Sequence, residues 1–331
     1  MQTRKIGKEN VNISTLGLGC MSMSGVYGHA DESESIETIH SALDQGINLL
    51  DTGDFYGMGH NEMLLSKALK DIPRNQYMLS VKFGGMRDPR GAWGGVDGRP
   101  AAVKNFLAYS LKRLGTDYID IYRIARIDPA VPIEDTIGAI ADMVNAGFVR
   151  HIGLSEAGAN TIERANAVHP IIDLQIEYSI ISRSIEKEIL PLCKKLGIGI
   201  TAYGILSRGL ISGHYSNSGK TDQFDMRKYL PRFSGENLEH NMKLVESLNK
   251  IANDARGTAA QVAIAWVLSR GDNIIPLIGA RTRERLNEAM GSLNIELTPE
   301  LINRIDAAFP LNIAKGTRYA SEQMGHLDSE K

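Results

Sequence analysis

Short apolar runs alternate with helix-periodic segments along almost the whole chain, and this alternation restricts the fold more than any other feature. Runs of strand length lie at 14–21, 47–51, 77–82, 118–124, 149–154, 171–176, 198–203 and 273–278. They are near-continuous in apolar residues, as strands covered on both faces should be. Helical spacing follows each of them, at 33–45, 61–70, 100–114, 133–146, 159–168, 184–196, 237–253, 258–269, 282–290 and 298–308. In the third helix Val103, Phe106, Leu107, Ser110 and Leu114 recur at three- and four-residue steps behind Pro100. Gly46, Gly147 and Gly197 stand where helices should stop. Eight such units without a break in composition predict a (β/α)8 TIM barrel, a single domain over 1–331. Two doubly wound domains dividing near residue 150 would need a linker, and 147–155 is not linker-like. A β-hairpin with its turn at 7–10 is expected to precede the barrel.

Two connections exceed ordinary loop lengths, both after strand ends. Residues 84–99 are glycine-rich around Trp93, and 207–235 carry Arg208, Tyr215, Phe224 and Phe233. Both should overhang the C-terminal face of the barrel, where an aromatic in a glycine-rich loop suits covering a ligand.

That face is where ionisable residues gather. Asp51 ends one apolar run, Tyr56 follows in a glycine-containing loop, and Lys82 ends the next run. A free phenol titrates near pH ~10, too high for an efficient acid at neutral pH. An ammonium in reach would favour the phenolate and lower that value, and a carboxylate would hold the ammonium in place. Such a set can protonate a carbonyl oxygen while hydride reaches its carbon. No side chain donates hydride, so a nicotinamide or flavin is required. The Gly17-Leu18-Gly19 segment is not part of a GxGxxG ahead of a helix, which argues against a Rossmann dinucleotide site.

Composition excludes several other classes. A net charge of −2 gives no reason to expect nucleic acid as a partner. No apolar stretch has the length of a membrane span, and the first residues do not read as a leader. Cys20 and Cys193 are far apart, and the eight histidines form no metal-ligand spacing, so no metal is expected. A cytoplasmic protein acting on a small molecule is the expectation; oligomeric state is not encoded legibly.

Taken together, DTGDFYG at 51–57, GLGCMSMSG before it, Lys82, GLSE at 153–156, LQIEYS at 174–179 and TAYGILSRGL at 201–210 resemble the aldo-keto reductases. The resemblance runs from about residue 3 to 308 with its motifs in order. It implies a (β/α)8 barrel that reduces aldehydes or ketones with NADPH, without metal or flavin. Tyr56 would be the general acid, tuned by Lys82 and Asp51. Gly19, Cys20 and Met21 would lie at the cofactor, and Ser155 and Gln175 would bond the carboxamide. Tyr203 would stack on the nicotinamide. Leu206, Ser207 and Gly209 would approach the pyrophosphate. Gly279, Arg281, Arg285 and Glu288 would meet the adenosine end, with the two arginines on a 2′-phosphate.

One departure bears on the chemistry. The family's fourth catalytic residue is a histidine in a pattern like YxxHRxDP, and here the segment reads Tyr122-Arg123-Ile124-Ala125-Arg126-Ile127-Asp128-Pro129. Ala125 stands where the imidazole should be. Arg123 shares the barrel-facing side with residue 125 and is the candidate to act in its place, with Glu156 or Asp51 as its anion. The other functions compatible with these residues are alcohol or sugar oxidation by the same site, and a nicotinamide-binding regulatory or subunit protein with little turnover.

Overall fold

The computed structural model describes residues 1–215 and 225–331, so Phe224 lies outside the described residues. Twelve strands are present among them. The hairpin is β1 (Thr3–Ile6) and β2 (Val11–Ser14), and the barrel begins with β3 (Gly17–Gly19), β4 (Leu49–Gly53) and β5 (Met78–Phe83). A second hairpin, β6 (Gly85–Arg87) and β7 (Trp93–Val96), precedes β8 (Ile119–Ile124) and β9 (Val149–Ser155). The barrel ends with β10 (Ile171–Glu177), β11 (Gly199–Tyr203) and β12 (Ile274–Ile278). Omitting the two hairpins, the strands pair in parallel and in sequence order, and β12 closes on β3 through Leu277 opposite Gly17 and Ile278 opposite Leu18. Helices cover the outside, and the (β/α)8 barrel expected from the alternation is the fold observed.

The large apolar core lies between strands and helices, as parallel strands covered on both faces require. A smaller cluster closes the bottom of the barrel. Ile6 and Ile13 of the first hairpin pack there against Leu49, Ile121, Ile172, Ile275 and Leu277. The approach is close, since a Cβ on Gly199 would sit 2.8 Å from Ile6. That end of the barrel is plugged by hydrocarbon.

Above the plug the barrel interior turns polar. Period-two alternation brings Asp51, Ser80, Lys82, Arg123, Asp173, Gln175 and Thr201 inward at neighbouring heights, with Lys82 opposite Arg123 and Gln175 opposite both Ser155 and Thr201. All seven are buried.

Several segments differ from the sequence expectation. The first barrel strand is shorter than 14–21, because Ser14 completes the hairpin opposite Thr3. The glycine-rich 84–99 segment forms β6–β7 rather than an irregular loop. Its glycines serve contact: a Cβ on Gly85 would sit 2.7 Å from Phe55, beside Tyr56. Trp93 meets Phe55 edge-on at 5.8 Å, and Phe55 meets Tyr56 at 4.9 Å. The 184–196 helix divides into a short turn at Ser184–Glu186 and a helix at Ile189–Leu196. Beyond residue 309 the chain folds back across the C-terminal face.

Gly153, pointing inward, is required by its neighbours. A Cβ there would lie 2.5 Å from Asp173 Oδ1 and 2.7 Å from Arg123 Nε, both buried and paired with each other. Gly153→Ala should therefore destabilise by about 1–3 kcal/mol. Gly138→Ala, in the helix Ile133–Asn145 with no atom near its Cβ, should stabilise by roughly 0.5–1 kcal/mol. Urea unfolding of both variants checks this; equal midpoints for the two would contradict it.

Candidate active site

Asp51 is the centre of the polar interior. Its Oδ2 accepts from Lys82 Nζ at 2.5 Å, and its Oδ1 accepts from Ser80 Oγ at 2.8 Å and Gln175 Nε2 at 2.7 Å. Gln175 closes the ring by accepting from Lys82 Nζ at 2.8 Å through Oε1. A carboxylate and an ammonium this deep are tolerable only because each is paired and bonded further. Burial still pushes the Lys82 pKa down, with Asp51 opposing and Arg123 assisting the fall.

Tyr56 lies over this network. Lys82 Nζ is 5.1 Å from the centre of its ring, and its hydroxyl bonds no described residue. The net shift of the phenol's pKa is upward, not the fall expected from a neighbouring ammonium. Burial raises it well above its ordinary value, Asp51 adds to the rise, and the opposing cation is Arg126. The Lys82 ammonium itself is bonded to Asp51 and Gln175, with the Tyr56 ring centre 5.1 Å from it.

Of the two anions expected for Arg123, Asp51 is an ion-pair partner and Glu156 is not, and a third carboxylate lies closer than either. Arg123 Nη2 donates to both oxygens of Asp173, at 2.9 and 2.8 Å, while Asp51 is 3.8 Å from Nη1. Thr201 donates to the same Asp173. Arg123 Nε and Nη1 are buried without partners. The anion partner lies two residues before Gln175 on β10, a polar residue within an apolar run that the sequence reading passed over.

Glu156 is taken by the C-terminal tail instead. Arg318 donates to its two oxygens at 3.0 and 2.8 Å, Ser329 Oγ donates at 2.6 Å and the Tyr203 hydroxyl at 2.7 Å. Against the burial penalty, Arg318 holds this carboxyl down at about 2. Arg318 also lies 3.5 Å from Glu177, which accepts from Arg208 at 3.1 Å and lies 3.4 Å from Arg232. Tyr319 is 3.1 Å from the Tyr203 hydroxyl, and Arg208 lies 4.5 Å over its ring. These tail contacts left no local signal, because their partners are more than 100 residues apart.

The remaining candidates fall into two groups. Gly19, buried Cys20 and Met21 lie at the end of β3, and Ser155 at the end of β9 has a buried Oγ without a partner. Leu206, Ser207 and Gly209 follow β11. Ser207, Arg208 and Gly209 all have positive φ, an expensive run for two residues that carry side chains. Gly279 has open space at its Cβ position. Gln175, by contrast, spends both ends of its amide within the Asp51 ring. Arg281 donates to the carbonyls of Tyr27, Gly28 and His29, which ties the last loop to the first. Arg285 pairs with Glu288 at 3.1 Å, and His214 holds the same carboxylate.

At its open end the parallel barrel thus carries a paired carboxylate and lysine beneath a tyrosine. Residues 15–309 match the Aldo/keto reductase family. The probable aldo-keto reductase 1 of Glycine max is 38% identical over 324 residues, which cover 96% of this chain and 92% of that one. Among solved structures, the glycerol dehydrogenase AKR11B4 from Gluconobacter oxydans superposes with a TM-score of 0.83 at 28% identity, covering 93% of this chain and 94% of that one. The aldo-keto reductase AKR11C1 from Bacillus halodurans, in its holo form, gives 0.78 at 28% identity over 98% and 99%. The chain belongs to the aldo/keto reductase family, whose members act on small carbonyl compounds with a nicotinamide cofactor. Among the described residues, no helix is long and apolar enough to cross a membrane.

Two stability predictions follow from the buried charges. Arg123→Leu leaves Asp173 without its cation and should cost about 3–5 kcal/mol, measured by urea unfolding; wild-type stability would contradict the pairing. Asp54 has an unpartnered buried Oδ1, and burial, reinforced by Glu62 against the Gly84 N–H, raises its pKa from 3.8 to about 7. Between those values the folded state keeps a proton that the unfolded state releases, so this group lowers stability as pH rises through the window. Asp54→Asn should gain more stability over wild type at pH ~8 than at pH ~5. Identical gains at both would overturn the assignment.

Proposed function

We propose that this chain reduces aldehydes or ketones to alcohols with hydride from NADPH, Tyr56 supplying the proton. The carrying observation is the Lys82 ammonium, fixed by Asp51 and Gln175, beneath a phenol whose hydroxyl bonds no described residue. A nicotinamide supplies hydride when bound. The protein's part is to hold the carbonyl oxygen at Tyr56 and return a proton to it as charge develops there. Burial keeps the phenol protonated at neutral pH, so it is present as a donor. Lys82 and Asp51 are positioning residues: the cation on the ring stabilises the phenolate that forms, and the carboxylate holds that cation in place. Arg123, locked onto Asp173, supports this layer of the barrel rather than replacing the missing imidazole at Ala125.

The residues fit the cofactor in part. The free Ser155 Oγ suits a carboxamide, Tyr203 offers a ring face, and small or left-handed residues at 207–209 and 279 allow close approach to phosphates. Arg285, beside the Thr282 N-cap, is the better 2′-phosphate ligand, since Arg281 is committed to three carbonyls. The same site runs in the oxidative direction when the cofactor ratio favours it. The reading takes 1–331 as one unit acting in the cytoplasm, in keeping with two unpaired buried thiols.

Single-turnover oxidation of bound NADPH by an activated aromatic aldehyde tests this. Wild type should turn over, and Tyr56→Phe should lose about 10²–10⁴-fold in rate. If NADPH binds and no aldehyde or ketone is reduced, the absent imidazole has cost the chemistry, and a binding role replaces this one.

A further inference from the structure

Arg126 is a cation at the open end of the barrel that pairs with no carboxylate among the described residues. It is the second residue after β8, next to Ala125. Its Nη1 donates to the Ala125 carbonyl at 2.7 Å, and its Nη2 lies 3.4 Å from the Tyr319 hydroxyl. The Tyr319 ring centre is 5.8 Å from the guanidinium carbon. It takes part in no ion pair within 4.0 Å among the described residues, whereas Arg123, Arg208, Arg232 and Arg318 around it each have a carboxylate. A guanidinium carries five N–H donors, and here two are engaged. The side chain is half-buried, and none of its nitrogens is among the sealed, unpartnered atoms of the interior.

The position of this cation is specific. Its neighbour Tyr319 lies 3.1 Å from the Tyr203 hydroxyl, and its charge opposes the rise of the Tyr56 pKa, so it sits on the Tyr56 side of the opening. The nearest acid on that side, Glu156, is already bonded by both nitrogens of Arg318. Ala125, immediately before it in the chain, is buried and contributes only a methyl group. A partly desolvated guanidinium held by one backbone carbonyl is costly to leave unpaired and well arranged for a planar, two-oxygen ligand.

We propose that Arg126, assisted by the Tyr319 hydroxyl, binds a carboxylate on the substrate, so that the preferred substrates are 2-oxo acids or aldehydes bearing a nearby carboxylate. This rests on the carbonyl-reductase reading above and narrows it. Hydride adds to the carbonyl carbon, the Tyr56 proton goes to the carbonyl oxygen, and a 2-oxo acid becomes a 2-hydroxy acid while NADPH becomes NADP⁺. The carboxylate takes no part in bond making. It fixes the carbonyl between Tyr56 and the hydride donor, a positioning role that the missing imidazole leaves open.

The test pairs phenylglyoxylate with its methyl ester, which differ by one charge at nearly constant shape. Wild type should reduce the acid with a kcat/KM at least about tenfold above the ester, as one charge-assisted contact implies. Arg126→Gln should collapse that ratio toward one, chiefly through KM for the acid, and Arg126→Lys should restore part of it. Calorimetric titration with mandelate and with mandelamide, in the presence of NADP⁺, gives a readout independent of turnover. Mandelate should bind to wild type and lose affinity in Arg126→Gln, with mandelamide indifferent to the change. Reduction of ester and acid at equal efficiency would overturn the inference and leave the reductase reading intact. Mandelate binding through Arg126 with no reduction of either compound would support the anion site and sink the reductase reading. A preference for phosphorylated aldehydes with no response to carboxylates would contradict the carboxylate assignment.

Discussion

The contact between Asp51 and Lys82 is the constraint on which the upper half of the barrel depends. Two opposite charges 2.5 Å apart, almost without exposure, are not a source of stability; the desolvation they cost roughly offsets their attraction. What they do is impose partners. Ser80 and Gln175 are needed to satisfy the second carboxylate oxygen and close the ring. Beside them Arg123 and Asp173 form a second neutral pair, made possible by the absence of a side chain at Gly153. Four charges on four different strands thus cancel within one layer, and the strands are held in register at the height where Tyr56 presents its hydroxyl.

Below this layer the hairpin plug is hydrocarbon, and above it the C-terminal face is again ionic. The tail returns across that face through Arg318, whose contacts to Glu156, Glu177 and Glu330 tie β9, β10 and the last residues together. Tyr319 comes with it to meet Tyr203, Arg208 and Arg126. The other side of the opening is walled by Trp93 of the β6–β7 hairpin and by Phe55 of the loop after β4, against which it packs. The space between is lined by one phenol above a fixed ammonium, aromatic edges, and the Arg126 guanidinium, which pairs with no carboxylate among the described residues.

The barrel was legible in the sequence because parallel strands covered on both faces must be apolar nearly throughout, and the eight runs showed it. Asp51, Tyr56 and Lys82 stood out for the complementary reason, as ionisable groups at the ends of such runs. The same rule, applied to every polar residue inside a run, would also have singled out Asp173 and Thr201, and with them the true partner of Arg123. The 84–99 segment was misread because glycine content suggests a loose loop, whereas here it permits a hairpin to pack against Phe55. The engagement of Glu156 by Arg318 could not be read at all. It depends on a tail more than 150 residues away that has no periodic pattern, and only the folded chain brings the two together.

The central claim is that Asp51 and Lys82 act as a unit on Tyr56 rather than as separate contributors. A double-mutant cycle of Asp51→Asn, Lys82→Met and the combined variant, read as the single-turnover hydride-transfer rate, tests it most directly. If the two act together, the double variant should be about as slow as the slower single variant, because removing either partner already loses what the pair does. Rate losses that multiply in the double variant would mean that the two residues work independently, and the account of the site would not stand.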